Sequence, residues 1–183
     1  MDLLLRLDHT LTVFLKGILP HTPFFDLVFS FFSLKGNSIL IWLMVMGFTI
    51  YLEERKNPGV SQRDKKFTFV FFTSFLITSV SSIFIFKNIF HRMRPYSLAE
   101  MGAVSDICPA DFSFPSAHAS TAFAAAAVLT YFDPKRRLFY YSVAVLISFS
   151  RIYLGCHYFL DVVFGALLGY AISKLVLLLK LKV

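Results

Sequence analysis

Long apolar stretches are the feature that most restricts how this chain can fold. Five of them cover about residues 37–54, 67–90, 116–132, 138–156 and 158–180. A helix rises about 1.5 Å per residue, so these stretches approach or exceed the roughly 30 Å hydrocarbon core of a bilayer. Only 16% of the residues are charged, compared with about a quarter in soluble domains. We therefore predict an all-α integral membrane bundle with five transmembrane helices, in which residues 1–183 form one domain.

Two shorter apolar segments precede these five. Residues 3–19 are interrupted by polar or charged side chains, namely Arg6, Asp8, His9 and Lys16. This pattern predicts an amphipathic helix that lies in the membrane interface and ends at Pro20, and it argues against a cleavable signal peptide. Residues 22–34 would span only about 20 Å as a helix, so whether they form a sixth transmembrane helix is open at this stage.

The distribution of basic residues predicts the orientation in the membrane. If the five spans alternate, loop 55–66, loop 133–137 and the C-terminus share one side. Their basic residues are Arg55, Lys56, Arg63, Lys65, Lys66, Lys135, Arg136, Arg137, Lys174, Lys180 and Lys182. The positive-inside rule places this side in the cytoplasm, which also accounts for the net charge of +7 without a nucleic-acid partner. We predict a multi-pass protein of the cell inner membrane whose active site faces the periplasm or exterior.

The first motif on that outer face is a pair of cations. Lys87 stands seven residues before Arg94, which is followed by Pro95. Seven residues are about two helical turns, so we expect both side chains to project from one helix face. Arginine can hold two phosphate oxygens in a fork, and lysine adds a mobile point charge. Taken alone, the pair also fits two structural cations whose side chains extend to the membrane–water boundary.

The second motif is Pro115-Ser116-Ala117-His118, at the start of an alanine-rich helix. Serine is a preferred N-cap residue, and the free amides at a helix start bind anions. We therefore expect Ser116 and the amides near Ala117 and His118 to hold phosphate oxygens, with His118 facing the same ligand. A capped helix with a structural histidine is the alternative.

The third motif extends from Ser150-Arg151 to His157 and Asp161. An unpaired guanidinium near the end of an apolar span is costly, so Arg151 predicts an anionic ligand. His157 and Asp161 are four residues apart and would be neighbours on a helix. A carboxylate on one ring nitrogen leaves the other nitrogen free to attack. A helix-stabilising His–Asp pair is the alternative.

The same residues favour a site without a metal ion. Two histidines and an aspartate could ligate a metal, but Lys87, Arg94 and Arg151 would repel a cation from the same pocket. Because three fixed positive charges can do what magnesium does in many phosphotransferases, we predict neither a metal nor a cofactor.

In this order, the three motifs resemble the type 2 phosphatidic acid phosphatase superfamily, which includes membrane lipid phosphatases and the vanadium haloperoxidases. The resemblance covers Lys87 to Asp161 and the helical layout around them. Ala117 departs from the family pattern, which usually has glycine there. Its added methyl group bears on the geometry of the pocket rather than on the reaction.

The resemblance implies a role for each motif residue. His157 would be the nucleophile that forms a phosphohistidine, and Asp161 would orient it. His118 would protonate the leaving oxygen and then help to activate water. The other motif residues would hold the phosphoryl oxygens and stabilise the charge of the transition state. These residues are Lys87, Arg94, Ser116, Ala117 and Arg151.

Three functions stay open on the sequence. The first is metal-independent hydrolysis of a membrane lipid phosphate or pyrophosphate at the outer face. The second is a haloperoxidase-like enzyme that uses vanadate, which the apolar spans disfavour because those relatives are soluble. The third is a lipid transporter or scaffold that retains an anion site. Two histidines and an aspartate argue against the third, since binding alone needs only cations.

The lipid itself is less well defined by the sequence. The compact layout is similar to that of bacterial undecaprenyl pyrophosphate phosphatases and lipid A 1-phosphatases, so we favour undecaprenyl pyrophosphate or lipid A 1-phosphate. Phosphatidylglycerophosphate and phosphatidic acid are further candidates. Loop 91–115 is expected to lie over the pocket. Its acidic and aromatic residues do not identify the lipid headgroup; they include Tyr96, Glu100, Asp106 and Asp111. The expected partners are the lipid substrate and membrane lipids, and the oligomeric state is open.

The chain has two cysteines, Cys108 and Cys156, and the second adjoins His157. In the predicted topology both face an oxidising compartment. A disulfide would attach loop 91–115 next to the site, and two free thiols are the alternative.

Overall fold

The structure, a computed structural model, describes residues 2–34, 36–55, 62–95, 108 and 110–181. Within these ranges the regular structure is helical, so the predicted all-α class is confirmed. The α-helices are α1 (Asp2–Lys16), α2 (Pro23–Ser33), α3 (Asn37–Glu54), α4 (Gln62–Val80), α5 (Lys87–Phe90), α6 (Ala117–Phe132), α7 (Arg137–Tyr153) and α8 (Phe159–Leu181). A π-helical turn, Ser81–Phe86, joins α4 to α5, and a 3-10 turn, Pro134–Arg136, joins α6 to α7.

The apolar helices support a location in the membrane. In the described part of the chain, two helical stretches are long and apolar enough to cross a bilayer, Gln62–Phe90 and Phe159–Leu179. The pair α2–α3, bent by 74°, would add a third span if it is taken as one, and α6 is apolar but shorter. The count of five or six transmembrane helices therefore stays a prediction, as does the orientation, for which Lys56 and Lys182 lie outside the described residues.

Helix ends follow the local sequence. Thr22 caps α2, since its hydroxyl accepts a hydrogen bond from the amide of Phe25 (3.4 Å). Ser116 caps α6 in the same way, through the amide of Ala119 (3.5 Å). α6 ends at Phe132 and is followed by Asp133, because Pro134 cannot continue the helix. The caps fix where α6 begins, and this start belongs to the second motif.

Small residues bring α8 close to α6 at the centre of the bundle. A Cβ atom added to Gly165 would lie 2.6 Å from the carbonyl oxygen of Ser116, and one added to Gly169 would lie 1.9 Å from that of Ser120. Farther along, the Ser173 hydroxyl donates to the carbonyl oxygen of Ala124 (3.2 Å). Only glycine permits this approach, which places the start of α8 beside the start of α6.

The end of the second span differs from the prediction. α5 stops at Phe90, because His91 adopts the left-handed conformation (φ 47°) and its amide donates to the carbonyl oxygen of Lys87 (3.1 Å). Arg94 therefore lies beyond the helix, and the expectation that Lys87 and Arg94 project from one helix face is wrong. The helix is terminated three residues before Arg94. A spacing of seven residues therefore does not place the two side chains on one helix face.

Candidate active site

Arg94 connects two segments of the site. Its side chain is buried, 8% exposed by residue. One terminal nitrogen donates to the carbonyl oxygen of Cys156 (2.7 Å) and contacts Nε2 of His157 (3.1 Å). The other donates to Oδ1 of Asp111 (2.5 Å), and Nε donates to the Asp111 carbonyl oxygen (2.8 Å). Arg94 thus holds the segment before α8 against the loop that precedes α6.

The contacts of His157 assign its tautomer. Arginine can only donate, so Nε2 of His157 accepts from Arg94 and the ring proton lies on Nδ1. Nδ1 faces Oδ2 of Asp161 at 3.5 Å. His157 precedes α8, which begins at Phe159, and the four-residue spacing still makes His157 and Asp161 neighbours. The lone pair of Nε2 therefore points toward the cationic side of the site.

Asp161 joins the second and third motifs. Its carboxylate is buried, with Oδ1 paired to Arg92 (2.6 Å) and Oδ2 accepting from the amide of Tyr158 (2.9 Å). Its carbonyl oxygen accepts from the amide of Ser116 (2.9 Å). Because that amide is engaged, the anion-binding amides expected at the start of α6 are those of Ala117 and His118.

Lys87 meets Arg94 through a carboxylate of the chain itself. Nζ of Lys87 lies 2.5 Å from Oδ2 of Asp111, whose other oxygen contacts Arg94. Burial opposes ionisation of Asp111, but the hydrogen bonds and charges of Lys87 and Arg94 outweigh it and lower the pKa of that carboxyl. The Asp111 side chain is 42% exposed, whereas those of the two cations are nearly inaccessible. The ionised and partly exposed carboxylate of Asp111 therefore lies where two buried cations converge.

Arg151 is fully buried beneath the same region. A terminal nitrogen donates to the carbonyl oxygen (3.0 Å) and to the hydroxyl of Ser33, at the end of α2. The guanidinium also interacts electrostatically with Lys87, His118 and His157. The structure thus brings the cation of the third motif next to the residues of the first two.

His118 and Ala117 line an open cavity of about 180 Å³ between α3, α4 and α6. Its other walls are mostly apolar and include Phe75 and Ile83. His118 lies within electrostatic range of His157 and of the cations Lys87, Arg94 and Arg151. His118 thus lies between these mostly apolar walls and the charged residues of the site.

Burial and nearby cations determine the charge of His157. Burial lowers the pKa of the imidazole well below its usual value, and the charges of Arg94, Arg151 and Lys87 lower it further. Asp111 acts in the opposite direction and is outweighed. The ring is therefore neutral at neutral pH, so Nε2 keeps a lone pair, which here accepts from Arg94.

The two cysteines form a disulfide between the loop and the third motif. Cys108 and Cys156 are joined with their Cα atoms 5.4 Å apart, and both are buried. Of the two alternatives that the sequence left open, the structure has the disulfide. It attaches the segment that carries Asp111 to the residue next to His157. Tyr96, Glu100 and Asp106 of the same loop lie outside the described residues.

Two residues of this network were missed by the sequence analysis. Arg92 pairs with Asp161 and also with Asp8, which lies on α1. In the sequence, Asp8 only interrupts an apolar segment. Its burial (1% exposed) and its partner depend on how α1 packs, so no local signal in the sequence could have shown them.

Comparison with known proteins identifies the family. Residues 66–183 match the sequence pattern of the PAP2 superfamily, and this range is more than half of the chain. The chain belongs to the PAP2 superfamily. The resemblance to the type 2 phosphatidic acid phosphatases is thereby confirmed, and with it the expectation of a membrane enzyme of the lipid phosphatase class.

Two curated PAP2 relatives are phosphatases. An undecaprenyl-diphosphatase of Sulfolobus acidocaldarius is 33% identical over 145 residues, which are 79% of this chain and 66% of that protein. A lipid A 4'-phosphatase of Bacteroides thetaiotaomicron is 29% identical over 176 residues, which are 92% of this chain and 75% of that protein. The chain thus spans about two thirds to three quarters of the length of these relatives.

Solved PAP2 structures share the fold. LpxE of Aquifex aeolicus superposes with a TM-score of 0.62 at 24% identity, covering 93% of this chain and 94% of that one. A transmembrane PAP2-type phosphatidylglycerolphosphate phosphatase from Bacillus subtilis gives a TM-score of 0.61 at 21% identity, covering 100% and 89%. At these identities the likeness concerns the arrangement of the helices.

Proposed function

We propose that this protein hydrolyses a phosphate or pyrophosphate group of a membrane lipid, without a metal ion, through a phosphohistidine at His157. The observation that carries the proposal is the orientation of His157. Its Nδ1 faces Asp161, and its Nε2, the unprotonated nitrogen, lies 3.1 Å from the guanidinium of Arg94. A nucleophilic nitrogen at the edge of a cationic pocket suits attack on a phosphorus atom.

The proposed reaction has two steps. Arg94 turns from Nε2 of His157 to the phosphoryl oxygens, and Nε2 attacks phosphorus. The bond from phosphorus to the leaving oxygen breaks, and His118, protonated in the complex with the anionic substrate, gives that oxygen a proton. Water then attacks the phosphohistidine, the phosphorus–nitrogen bond breaks, and His118 takes up the proton that water releases. Inorganic phosphate leaves and both imidazoles return to their first state.

Cations stabilise the charge in both steps. Lys87, Arg94 and Arg151 would hold the oxygens of the transferred group, together with Ser116 and the amides of Ala117 and His118 (the residues expected from the motifs). Asp111 now occupies two of these cations, so its carboxylate has to yield to the incoming phosphoryl group. Fixed donors of this kind act by positioning and electrostatics, which is what phosphoryl transfer requires.

The lipid class is proposed from the relatives and the cavity. The relatives named for undecaprenyl diphosphate and lipid A favour undecaprenyl pyrophosphate or a lipid A phosphate, with phosphatidylglycerophosphate and phosphatidic acid as further candidates. The apolar walls beside His118 suit a lipid chain that stays in the bilayer while its headgroup enters the site. We further propose five membrane crossings and a site that faces the periplasm or exterior.

A panel of purified lipid phosphates tests the proposal. The protein is assayed for released phosphate in mixed micelles with EDTA present, beside a His157→Ala variant. We expect turnover of at least one lipid by the wild type in EDTA and its loss in His157→Ala. Turnover that EDTA removes and magnesium restores would refute the metal-free mechanism, and full activity of His157→Ala would refute the nucleophile.

A further inference from the structure

Helix α1 buries the wrong side chains for a simple interfacial anchor. Most of its apolar residues face outward, with Leu4, Leu7 and Phe14 respectively 62%, 53% and 64% exposed, and only Leu15 is half-buried among the described residues of the helix. Its buried residues are polar, Asp8 at 1% and Thr12 at 4%. A membrane anchor needs the exposed apolar residues, but it does not explain a buried carboxylate on the opposite side.

The buried side of α1 caps α8 from a different helix. The hydroxyl of Thr12 accepts a hydrogen bond from the amide of Phe159 (2.9 Å), and Oδ1 of Asp8 accepts from the amide of Leu160 (2.8 Å). These amides belong to the first turn of α8. The amides of a first helical turn have no hydrogen-bond acceptors within their own helix. α1 therefore fixes the turn that carries Asp161 and follows His157.

Arg92 extends the contact to the carboxylate of Asp161. One terminal nitrogen pairs with Asp161 Oδ1 (2.6 Å), and the other with Asp8 Oδ2 (2.5 Å). The guanidinium also lies over the ring of Tyr158, 4.0 Å from its centroid. Both carboxylates are fully buried as side chains, and the fork of one arginine serves them together.

The two oxygens of Asp161 are thereby divided between two tasks. Oδ1 is held by Arg92, and Oδ2 accepts from the Tyr158 amide and faces Nδ1 of His157. Rotation of the carboxylate would break the Arg92 pair. The position of Oδ2, and with it the orientation of the imidazole, depends on Arg92, whereas the contact of Arg94 with Nε2 determines which ring nitrogen keeps the proton.

We infer that Asp8 and Arg92 are positioning residues for the proposed nucleophile, acting through Asp161, and that α1 supports the active site as well as contacting the membrane. This inference rests on the proposed function, in which Asp161 orients His157. Arg92 restrains Asp161, and Asp8 restrains Arg92. Outer partners of metal-ligating histidines contribute in this indirect way, and the same reasoning applies to a histidine that a carboxylate orients.

Kinetics of three variants test the inference. Asp8→Asn preserves the shape of the side chain and an acceptor for Leu160 but removes the charge that Arg92 pairs with. Arg92→Gln removes the fork, and Arg92→Lys restores one charge contact. We expect kcat to fall by roughly 10- to 100-fold in Arg92→Gln, less in Asp8→Asn and Arg92→Lys, with KM near the wild-type value. Thr10→Val, an exposed position on α1, is the matched control.

A double-mutant cycle separates positioning from general destabilisation. In an Asp161→Asn background, Arg92→Gln should add no further loss of kcat, because both changes remove the same restraint. Additive losses, or a wild-type kcat in both Arg92→Gln and Asp8→Asn, would overturn the inference.

A second readout does not depend on turnover. The proton resonance of the His157 Nδ1–H group reports its contact with Asp161. We expect a downfield resonance in the wild type and in Thr10→Val, and its movement upfield in Arg92→Gln. An unchanged resonance in Arg92→Gln would overturn the inference even if no lipid proved to be a substrate, whereas the absence of phosphatase activity together with the expected movement would refute only the proposed function.

Discussion

Charged side chains meet at both ends of the bundle, but in different ways. At the far end, where α3 ends and α4 begins, Arg63 pairs with Glu53 at 2.6 Å, with side chains 47% and 37% exposed. Arg136 pairs with Asp133, which also accepts a hydrogen bond from Tyr140 (2.7 Å). Arg63 and Arg136 thus each have an acidic neighbour and partial contact with solvent.

The motif end, around Lys87, Arg94 and His157, is buried instead. Lys87, Arg94 and Arg151 are 4%, 8% and 0% exposed, and the first two converge on the single carboxylate of Asp111. Partly exposed pairs contribute only about 0–1 kcal/mol to stability. Buried cations that converge are costly to maintain, which is typical of a site for an anion. Burial of charge, rather than its presence, distinguishes the two ends.

The largest effect should come from removing one cation at each end. We expect Arg94→Gln to lower kcat/KM by roughly 100- to 1000-fold, the range for loss of a donor to a developing oxyanion. Arg136→Gln, its counterpart at the far end, should leave lipid phosphate release near the wild-type rate. Equal losses of kcat/KM in the two variants would mean that both substitutions act by destabilising the protein.

The pH dependence of the same variant sharpens the contrast. In the proposed mechanism the nucleophile has to be neutral, so activity is lost as the pH falls through the pKa of His157. Burial and the cations lower that pKa, and among the cations Arg94 lowers it most. Arg94→Gln should therefore raise the pKa and move the acid limb of kcat/KM to higher pH, whereas Arg136→Gln should not. A limb that moves to lower pH would contradict this assignment.

Helix packing under the site gives a prediction for stability. Gly165→Ala places a methyl group 2.6 Å from the Ser116 carbonyl oxygen, so α6 and α8 have to separate. We expect a loss of about 1–3 kcal/mol in the free energy of unfolding, as for other overpacked contacts. Gly47→Ala on α3 meets nothing within 4 Å and should be neutral or slightly stabilising. Thermal unfolding in detergent compares the two.

The smallest effect concerns Asp111, the carboxylate that contacts Lys87 and Arg94. Asp111→Asn removes an internal anion, so inorganic phosphate should inhibit more strongly. Because the side chain is 42% exposed, solvent screens the pairs, and we expect only about a fivefold decrease in the inhibition constant. Glu53→Gln at the far end is the matched control. Weaker inhibition in Asp111→Asn would show that Asp111 helps to shape the site rather than competing with phosphate.

The sequence was most informative for helices and helix ends that a run of apolar residues or a single residue type determines. Apolar runs predicted α3, α6 and α8 to within a few residues, because a helix in lipid has to satisfy its own backbone and be apolar along its length. The Ser116 cap and the break at Asp133-Pro134 were also visible, since both are local backbone effects.

Spacing was less reliable where the chain leaves a helix. Lys87 and Arg94 do not share a helix face, because the left-handed residue His91 ends α5 between them. Glycine is the usual residue at such a position, and His91 is not glycine. No local feature of the sequence therefore indicated the end of α5. Their convergence on Asp111 is a property of the tertiary structure.

By itself, the sequence determined the helical class, the apolar runs and the motif residues that carry the family resemblance, because each of these is written in a short stretch of chain. The tertiary structure decided which charges are buried together: Asp8 from α1, Arg92 from the loop and Asp161 from α8 form one network. The physical reason is that desolvation and pairing depend on neighbours far apart in the chain, here separated by 84 and 69 residues.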